Sequence, residues 1–204
     1  SMFIEPEVDR EWVESFNELA MQQLSAEEVE EARAKFEAIL IAVPDYALAW
    51  NNLGILELYA GQPAVADSLF GRSAREDPTY GAPRYWRATI YEFDYGNPDE
   101  AERLSREAIR VEPEFGFAYN NLGVLLMEQQ RLDEAVAILD AGRAAVPADD
   151  ESSPFLARTS GRLALAQGRG EDALRFFAEA RAGLDTSFWP ELDSLEADAR
   201  ALSD

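Results

Sequence analysis

Ala49-Trp50-Asn51-Asn52-Leu53-Gly54-Ile55-Leu56 is met again 69 residues further on as Ala118-Tyr119-Asn120-Asn121-Leu122-Gly123-Val124-Leu125. Six of the eight positions are identical, and the other two, Trp to Tyr and Ile to Val, keep their character. Prolines hold the same beat: Pro44, Pro78, Pro113 and Pro147 lie 34, 35 and 34 residues apart. A period of that length marks an array of small units, each unable to bury its apolar face alone and stable only when stacked on a neighbour.

Within each unit the apolar residues fall at helical spacing. The second half carries a stripe at i, i+4 and i+7: Ala32/Phe36/Ile39, Ala66/Phe70/Ser73, Ala101/Ser105/Ala108, Ala135/Leu139/Gly142 and Ala173/Phe177/Ala180. Small residues let two helices approach closely, and the large one plugs the gap between them. The first half sets a bulky residue three before a Leu, as in Trp50/Leu53/Gly54 and Phe16/Leu19/Ala20. Gly61, Gly96 and Gly168 stand between the halves, where a helix ends in the left-handed conformation. Asn97-Pro98-Asp99-Glu100 reads as an N-cap, a proline at the first helical position and a capping-box glutamate, and Ser25-Ala26-Glu27-Glu28 repeats that signature. Each unit is therefore helix, turn, helix, with a proline after the second helix. Past the last unit, Phe188, Leu192, Leu195, Ala199 and Leu202 form one helical stripe, with Asp193, Glu196, Asp198 and Arg200 opposite, as a helix closing the open end of the stack requires. At the other end Trp12, Phe16 and Leu19 predict that the first unit closes the array itself.

Composition narrows the chemistry. The 204 residues contain no Cys and no His, which excludes disulfides, a thiol nucleophile, a Ser-His-Asp triad, and zinc or haem held by those residues. Eighteen basic against 40 acidic residues give a net charge of −22, the wrong sign for nucleic acid or an acidic membrane surface, and no Lys/Arg run offsets it. The cations are nearly all arginine, Lys35 being the one lysine. No stretch reaches the roughly 18 apolar residues of a membrane span, and the residues from Met2 to Asp9 are acidic where a secretory leader is basic, so a cytoplasmic protein is expected. Neither Gly-rich phosphate loop occurs, Gly168-Arg169-Gly170 reads as an interhelical turn, and Asp149-Asp150-Glu151 reads as a solvated acidic turn. No catalytic residue, cofactor or metal is expected.

The repeat resembles the tetratricopeptide repeat (TPR) family: Trp50, Leu53, Gly54, Ala66, Phe70 and Pro78 fall at that family's signature spacing. The resemblance implies an all-α fold, a right-handed superhelical solenoid of antiparallel helix pairs with a C-terminal capping helix. Five units are predicted at 13–46, 47–80, 82–115, 116–149 and 154–187, after an acidic segment at 1–12 and before a cap at 188–204. The first keeps Phe16, Leu19, Ala20, Ala32, Phe36 and Pro44; the fifth keeps Gly161, Gly168, Ala173, Phe177 and Ala180, with Ala157 where the bulky residue belongs. The third has one residue too many between Pro78 and Gly96, so either Arg84 or Tyr85 takes the Trp50 slot. Tyr85 is preferred for its size, with a longer turn at Gly81-Ala82-Pro83; a one-residue bulge in the helix is the alternative.

In that family the first helix of each unit lines a concave groove that holds an extended peptide or a partner helix. The resemblance places Asn52, Arg87 and Asn121 two residues after the bulky slot, facing the groove. Beside them come Asn51, Trp86, Asn120 and Arg158, then one turn later Ile55, Ile90, Val124 and Arg162. An asparagine amide can grip a peptide backbone without reading its sequence, and arginines can fork onto a carboxylate, which would suit an acidic or C-terminal segment. The family's lysine clamp for a C-terminal carboxylate is missing, since Asn17 and Met21 stand in the first unit. A non-catalytic interaction module or adaptor for another protein is the leading expectation. A self-assembling scaffold, or an enzyme or small-ligand sensor on a helical array, are the alternatives.

Overall fold

The computed structural model describes residues 29–183 and 189–203, and these form ten helices with no strand. In chain order they are α1 (Val29–Ala42), α2 (Ala47–Tyr59), α3 (Pro63–Glu76), α4 (Ala82–Phe93), α5 (Pro98–Val111), α6 (Gly116–Glu128), α7 (Leu132–Ala145), α8 (Ser153–Ala166), α9 (Gly170–Gly183) and α10 (Leu192–Ala201). Trp12, Phe16, Leu19, Ala20, the cap signature at Ser25 and Phe188 lie outside the described residues.

Each helix packs on the next in sequence, and α2, α4, α6, α8 and α10 also pack on one another in order. The even-numbered helices thus form a closely spaced inner row and the odd-numbered ones an outer row. An array whose inner row is the tighter one is concave on that side. The result is a solenoid of antiparallel helix pairs ending in a capping helix.

Every residue of the five second-half stripes is buried, and each lies on an outer helix. What holds the two rows together is a glycine on the inner helix facing a large side chain on the outer one. A methyl at Gly54 would sit 2.6 Å from the Phe70 ring, at Gly123 2.6 Å from Leu139, and at Gly161 2.4 Å from Phe177. Only a missing Cβ lets these helix axes come so close, and the fully buried ring or isobutyl group then fills the space.

The turns follow the same repeat. Gly61, Gly96 and Gly168 have φ of 72°, 59° and 72°, as a left-handed helix end demands, and Gln130 at φ 61° serves the fourth unit without a glycine. Asn97 caps α5, its side-chain oxygen accepting from the Glu100 backbone N–H at 3.2 Å. The Glu100 carboxylate turns instead to Arg103, so only half of the predicted capping box forms. Trp50 and Tyr119 reach back over the preceding turn and donate to the Pro44 and Pro113 carbonyls, at 2.9 and 3.0 Å.

In the third unit the residue making that reach is Arg84, not Tyr85. Arg84 is buried, donates to the Tyr80 carbonyl at 2.8 Å, and pairs with Glu107 of α5 at 3.0 Å. Ala88 and Ile90 then fall where Gly54 and Leu56 lie, and both are fully buried. Pro83 has no N–H to give, so the first helical bonds shift one residue, to Arg84 and Tyr85 donating to Gly81. The extra residue is absorbed at the other end, where Tyr95 donates to Ile90 and Asn97 to Tyr91 across a widened turn before Gly96. The preferred alignment on Tyr85 is therefore corrected, and the surplus residue sits in the closing turn of α4.

The cap also differs in detail. Leu192 and Ala199 are buried against α8 and α9 and Leu195 packs beside them, whereas Leu202 is half exposed. Trp189, ahead of the helix, fills the remaining apolar space.

The inner-glycine contact gives the first test. Gly54→Ala forces Phe70 from its place and is expected to cost about 1–3 kcal/mol in urea unfolding. Gly71→Ala, where the nearest atom is the end of Arg75 at 3.7 Å, should be neutral or stabilising by up to about 1 kcal/mol. Equal effects at the two sites would contradict this account of the packing.

Candidate functional site

With Arg84 in the bulky slot, the inner helices align residue by residue. Leu48, Ala82, Phe117 and Phe155 share one position, as do Asn51, Tyr85, Asn120 and Arg158. One residue later come Asn52, Trp86, Asn121 and Thr159; three further on come Ile55, Thr89, Val124 and Arg162. Arg87 takes the place of the buried Leu53 and Leu122. It faces α3, with its Nε 2.7 Å from Asp67 Oδ1. Ile90 takes the place of Leu56 and is fully buried beside Ala66 and Phe70. Arg87 and Ile90 are thus corrected from groove residues to interhelical ones.

The other candidates do lie on the inner row, but most are already engaged. Asn51 and Asn52 are buried, and the Asn51 amide donates weakly to Asn52 Oδ1 at 3.4 Å. Trp86 stacks on Phe70 with ring centres 6.2 Å apart, which makes it packing. Asn120 accepts a hydrogen bond from the Thr159 hydroxyl at 2.7 Å. Arg158 pairs with Glu191 and lies over the Trp189 ring at 5.4 Å. Ile55 and Val124 are partly buried, Ile55 against the Phe70 cluster. Arg162 stands close enough to Glu191 to join Arg158 in holding that carboxyl low, after the dominant backbone hydrogen bond. Of the arginines expected to receive an acidic segment, Arg87 and Arg158 are accordingly committed to acids of this chain, and several arginines of the outer helices are too. Arg33–Glu57, Arg131–Glu102, Arg143–Glu179 and Arg181–Glu196 each bridge two helices or their turns.

What the inner face presents instead is aromatic and acidic. Near the N-terminal ends of the inner helices, Tyr85, Phe117, Phe155 and Trp189 form a row with ring centres 6.2, 5.6 and 5.2 Å apart. Near the C-terminal ends, Tyr59 on α2 and Phe93 on α4 share one position and are 79% and 69% exposed. Beside them Glu92 holds both carboxylate oxygens out of contact with water and without a hydrogen-bond partner. Burial first, and then the Glu128 charge, push Glu92 up to about 7 from its usual 4.5. Burial also raises the Tyr85 phenol, with Tyr59 and Glu92 near it. Two further polar atoms on the inner helices are shielded and unpartnered, Asn51 Oδ1 and Asn121 Nδ2.

Sequence reasoning passed over Tyr85, Phe117, Phe155, Glu92 and Trp189 as inner-face residues. Aligning the third unit on Arg84 would have set Tyr85 level with Asn51 and Asn120, and Glu92 level with Leu58 and Met127, while Phe117 and Phe155 already shared one position. A crevice of about 430 Å³ lies between Arg143, Val146, Pro154, Leu156 and Gly183. Among the described residues no helix is long and apolar enough to cross a membrane.

The class these features define is a helical-repeat solenoid with a concave inner face. Tetratricopeptide repeat family signatures match residues 17–80 and 92–159, together about two thirds of the sequence, and the chain belongs to the tetratricopeptide repeat family. It is similar to the protein O-mannosyl-transferase Tmtc3 of Drosophila melanogaster, 27% identical over 132 residues that make up 65% of this chain and 14% of that one. It therefore spans about a seventh of that relative's length. The thermophilic TPR protein TTC0263 of Thermus thermophilus has a similar fold, with TM-score 0.69, 21% identity, and coverage of 93% of this chain and 99% of the other. So has YrrB, described as a TPR protein with an unusual peptide-binding site, with TM-score 0.56, 19% identity, and coverage of 91% and 90%.

The titration of Glu92 gives a second test. The folded protein holds this proton more tightly than the unfolded chain, so on its account stability falls between about pH 4.5 and pH 7. Glu100, Glu102 and Glu107 are shifted the opposite way, the first two chiefly by hydrogen bonds from Arg103 and Arg131, and their contribution is lost only below the ordinary carboxylate range. Glu92→Gln should leave stability at pH 4 unchanged. At pH 8 it should raise stability by about 1–2 kcal/mol, less than the full shift implies because solvent screens a partly buried site. Urea unfolding of both proteins at the two pH values checks this, and a variant no more stable at pH 8 contradicts it.

Proposed function

We propose that this chain is a non-catalytic interaction module, an adaptor that holds a segment or helix of another protein against its inner row of helices. The observation that carries the reading is the set of shielded, unpartnered polar atoms on that row: Asn51 Oδ1, Glu92 Oε1 and Oε2, and Asn121 Nδ2. Buried polar groups in a folded protein are almost always paired, and an unmet one costs about 1–3 kcal/mol. A polypeptide whose binding moves the covering side chains aside supplies the missing donors and acceptors from its own backbone and side chains. The exposed Tyr59 and Phe93 rings add apolar surface of the kind that anchors protein contacts. Family membership supports a protein partner in general, and YrrB is a precedent for peptide binding on this fold. The working setting we assign is the cytoplasm, an aqueous compartment in keeping with a net charge of −22.

A photo-crosslinking residue at Ile55 or Val124 on the inner row, compared with one at the exposed Val65 of α3 or Ile41 of α1, tests the assignment in native extract. One dominant partner should be captured from the inner positions and not from the outer ones. Capture from the outer positions alone overturns the groove reading. Capture of a second copy of this chain alone favours a self-assembling scaffold in its place.

A further inference from the structure

We propose that the inner face takes a basic side chain, an arginine or lysine of the partner's segment, at Glu92 between Tyr59 and Phe93, the carboxylate turning out of its covered position to meet it. This rests on the peptide-holding reading above and adds the chemistry of the occupant.

The chain supplies its own comparison. In the three other inner helices that align with α4, the position of Glu92 is filled by Leu58, Met127 and Leu165, and each packs on the core of its unit. Of these four helices, α4 alone sets a carboxylate there. Replacing a packing residue by an acid forfeits apolar burial and strips a charge of water, and nothing within the described residues compensates, for both oxygens lack a partner. A local rule broken without internal return marks a site whose partner comes from outside.

The surroundings say which partner. The groups closest in electrostatic terms are Glu128, another acid, and the Tyr85 phenol. Elsewhere on the same helix this chain meets its acids with arginines, as Arg84 does for Glu107 and Arg87 for Asp67. At Glu92 no cation among the described residues pairs with the carboxylate and a second acid stands nearby, so a cation is the complementary charge. Tyr59 and Phe93, aligned on neighbouring helices and largely exposed, offer ring faces on which a guanidinium or a lysine stem can lie. The net charge of −22 draws the same sign of partner from a distance and rejects acidic segments. This occupant carries the charge opposite to that of the acidic segment expected on Arg87, Arg158 and Arg162.

The test selects a random-peptide phage library on the immobilised full chain, on Glu92→Gln and on Glu92→Arg, with matched helicity confirmed for all three. Peptides that block the Val124 cross-link should carry arginine or lysine at one fixed position. Their affinity should fall about tenfold to a hundredfold on Glu92→Gln, as expected for a shielded charge-assisted contact, and Glu92→Arg should select acidic residues instead. Blocking peptides with no basic preference overturn the proposal and leave the peptide-holding reading standing. Failure to find any blocking peptide overturns both. Light scattering that shows a dimer dissolved by Glu92→Gln overturns the assignment to a foreign partner and puts an arginine of a second copy in its place.

Discussion

The contact between an inner-helix glycine and the large side chain facing it from the outer helix governs everything else in this molecule. Gly54 under Phe70, Gly123 under Leu139 and Gly161 under Phe177 leave no room for a single added carbon. Each contact fixes how far an inner helix can slide or turn against its partner, because a shift of one residue would drive a side chain into the ring. Repeated along the chain, it sets equivalent residues of successive inner helices in rows. The third unit has the fully buried Ala88 as the small residue at this position, so the row keeps a small side chain there.

Because equivalent positions line up in rows, an exception in one row has a definite place in space. Glu92 is such an exception, a carboxylate among Leu58, Met127 and Leu165. The arginines explain why it matters. Most of those in the described residues pair with acids of this chain, some across helices and others within one helix, and most are partly exposed and individually worth little to stability. The inner face is left with aromatic rings, amide groups and uncompensated acid. Electrostatics therefore points to the same occupant as the local geometry does, although one acts over a Debye length and the other at contact.

Much of the fold was legible in the sequence because the repeat is a statement about packing. The stripes from Ala32/Phe36/Ile39 to Ala173/Phe177/Ala180 are buried to the last residue, and Gly61, Gly96 and Gly168 adopt the left-handed turns their spacing required. The turn at Gln130 was hidden because a residue with a side chain accepts the same φ there. The misreading of the third unit came from judging the bulky slot by size. A buried arginine can make the backward reach that Trp50 and Tyr119 make, and Pro83 moves the first hydrogen bonds without moving the side chains. That one-residue slip carried Arg87 and Ile90 into the predicted groove and kept Tyr85 and Glu92 out of it. The ion pairs of Arg87 and Arg158 were beyond a single sequence, since their acids lie 20 and 33 residues away on other elements.

At the centre of this account is a glutamate held dry and uncompensated on the inner face of the solenoid. Carbon-13 NMR titration of the Glu92 side-chain carboxyl, assigned by its loss in Glu92→Gln, measures that state directly. A midpoint near pH 7 is the expected result. A midpoint near 4.5 would show the carboxylate solvated or paired, and would contradict the account.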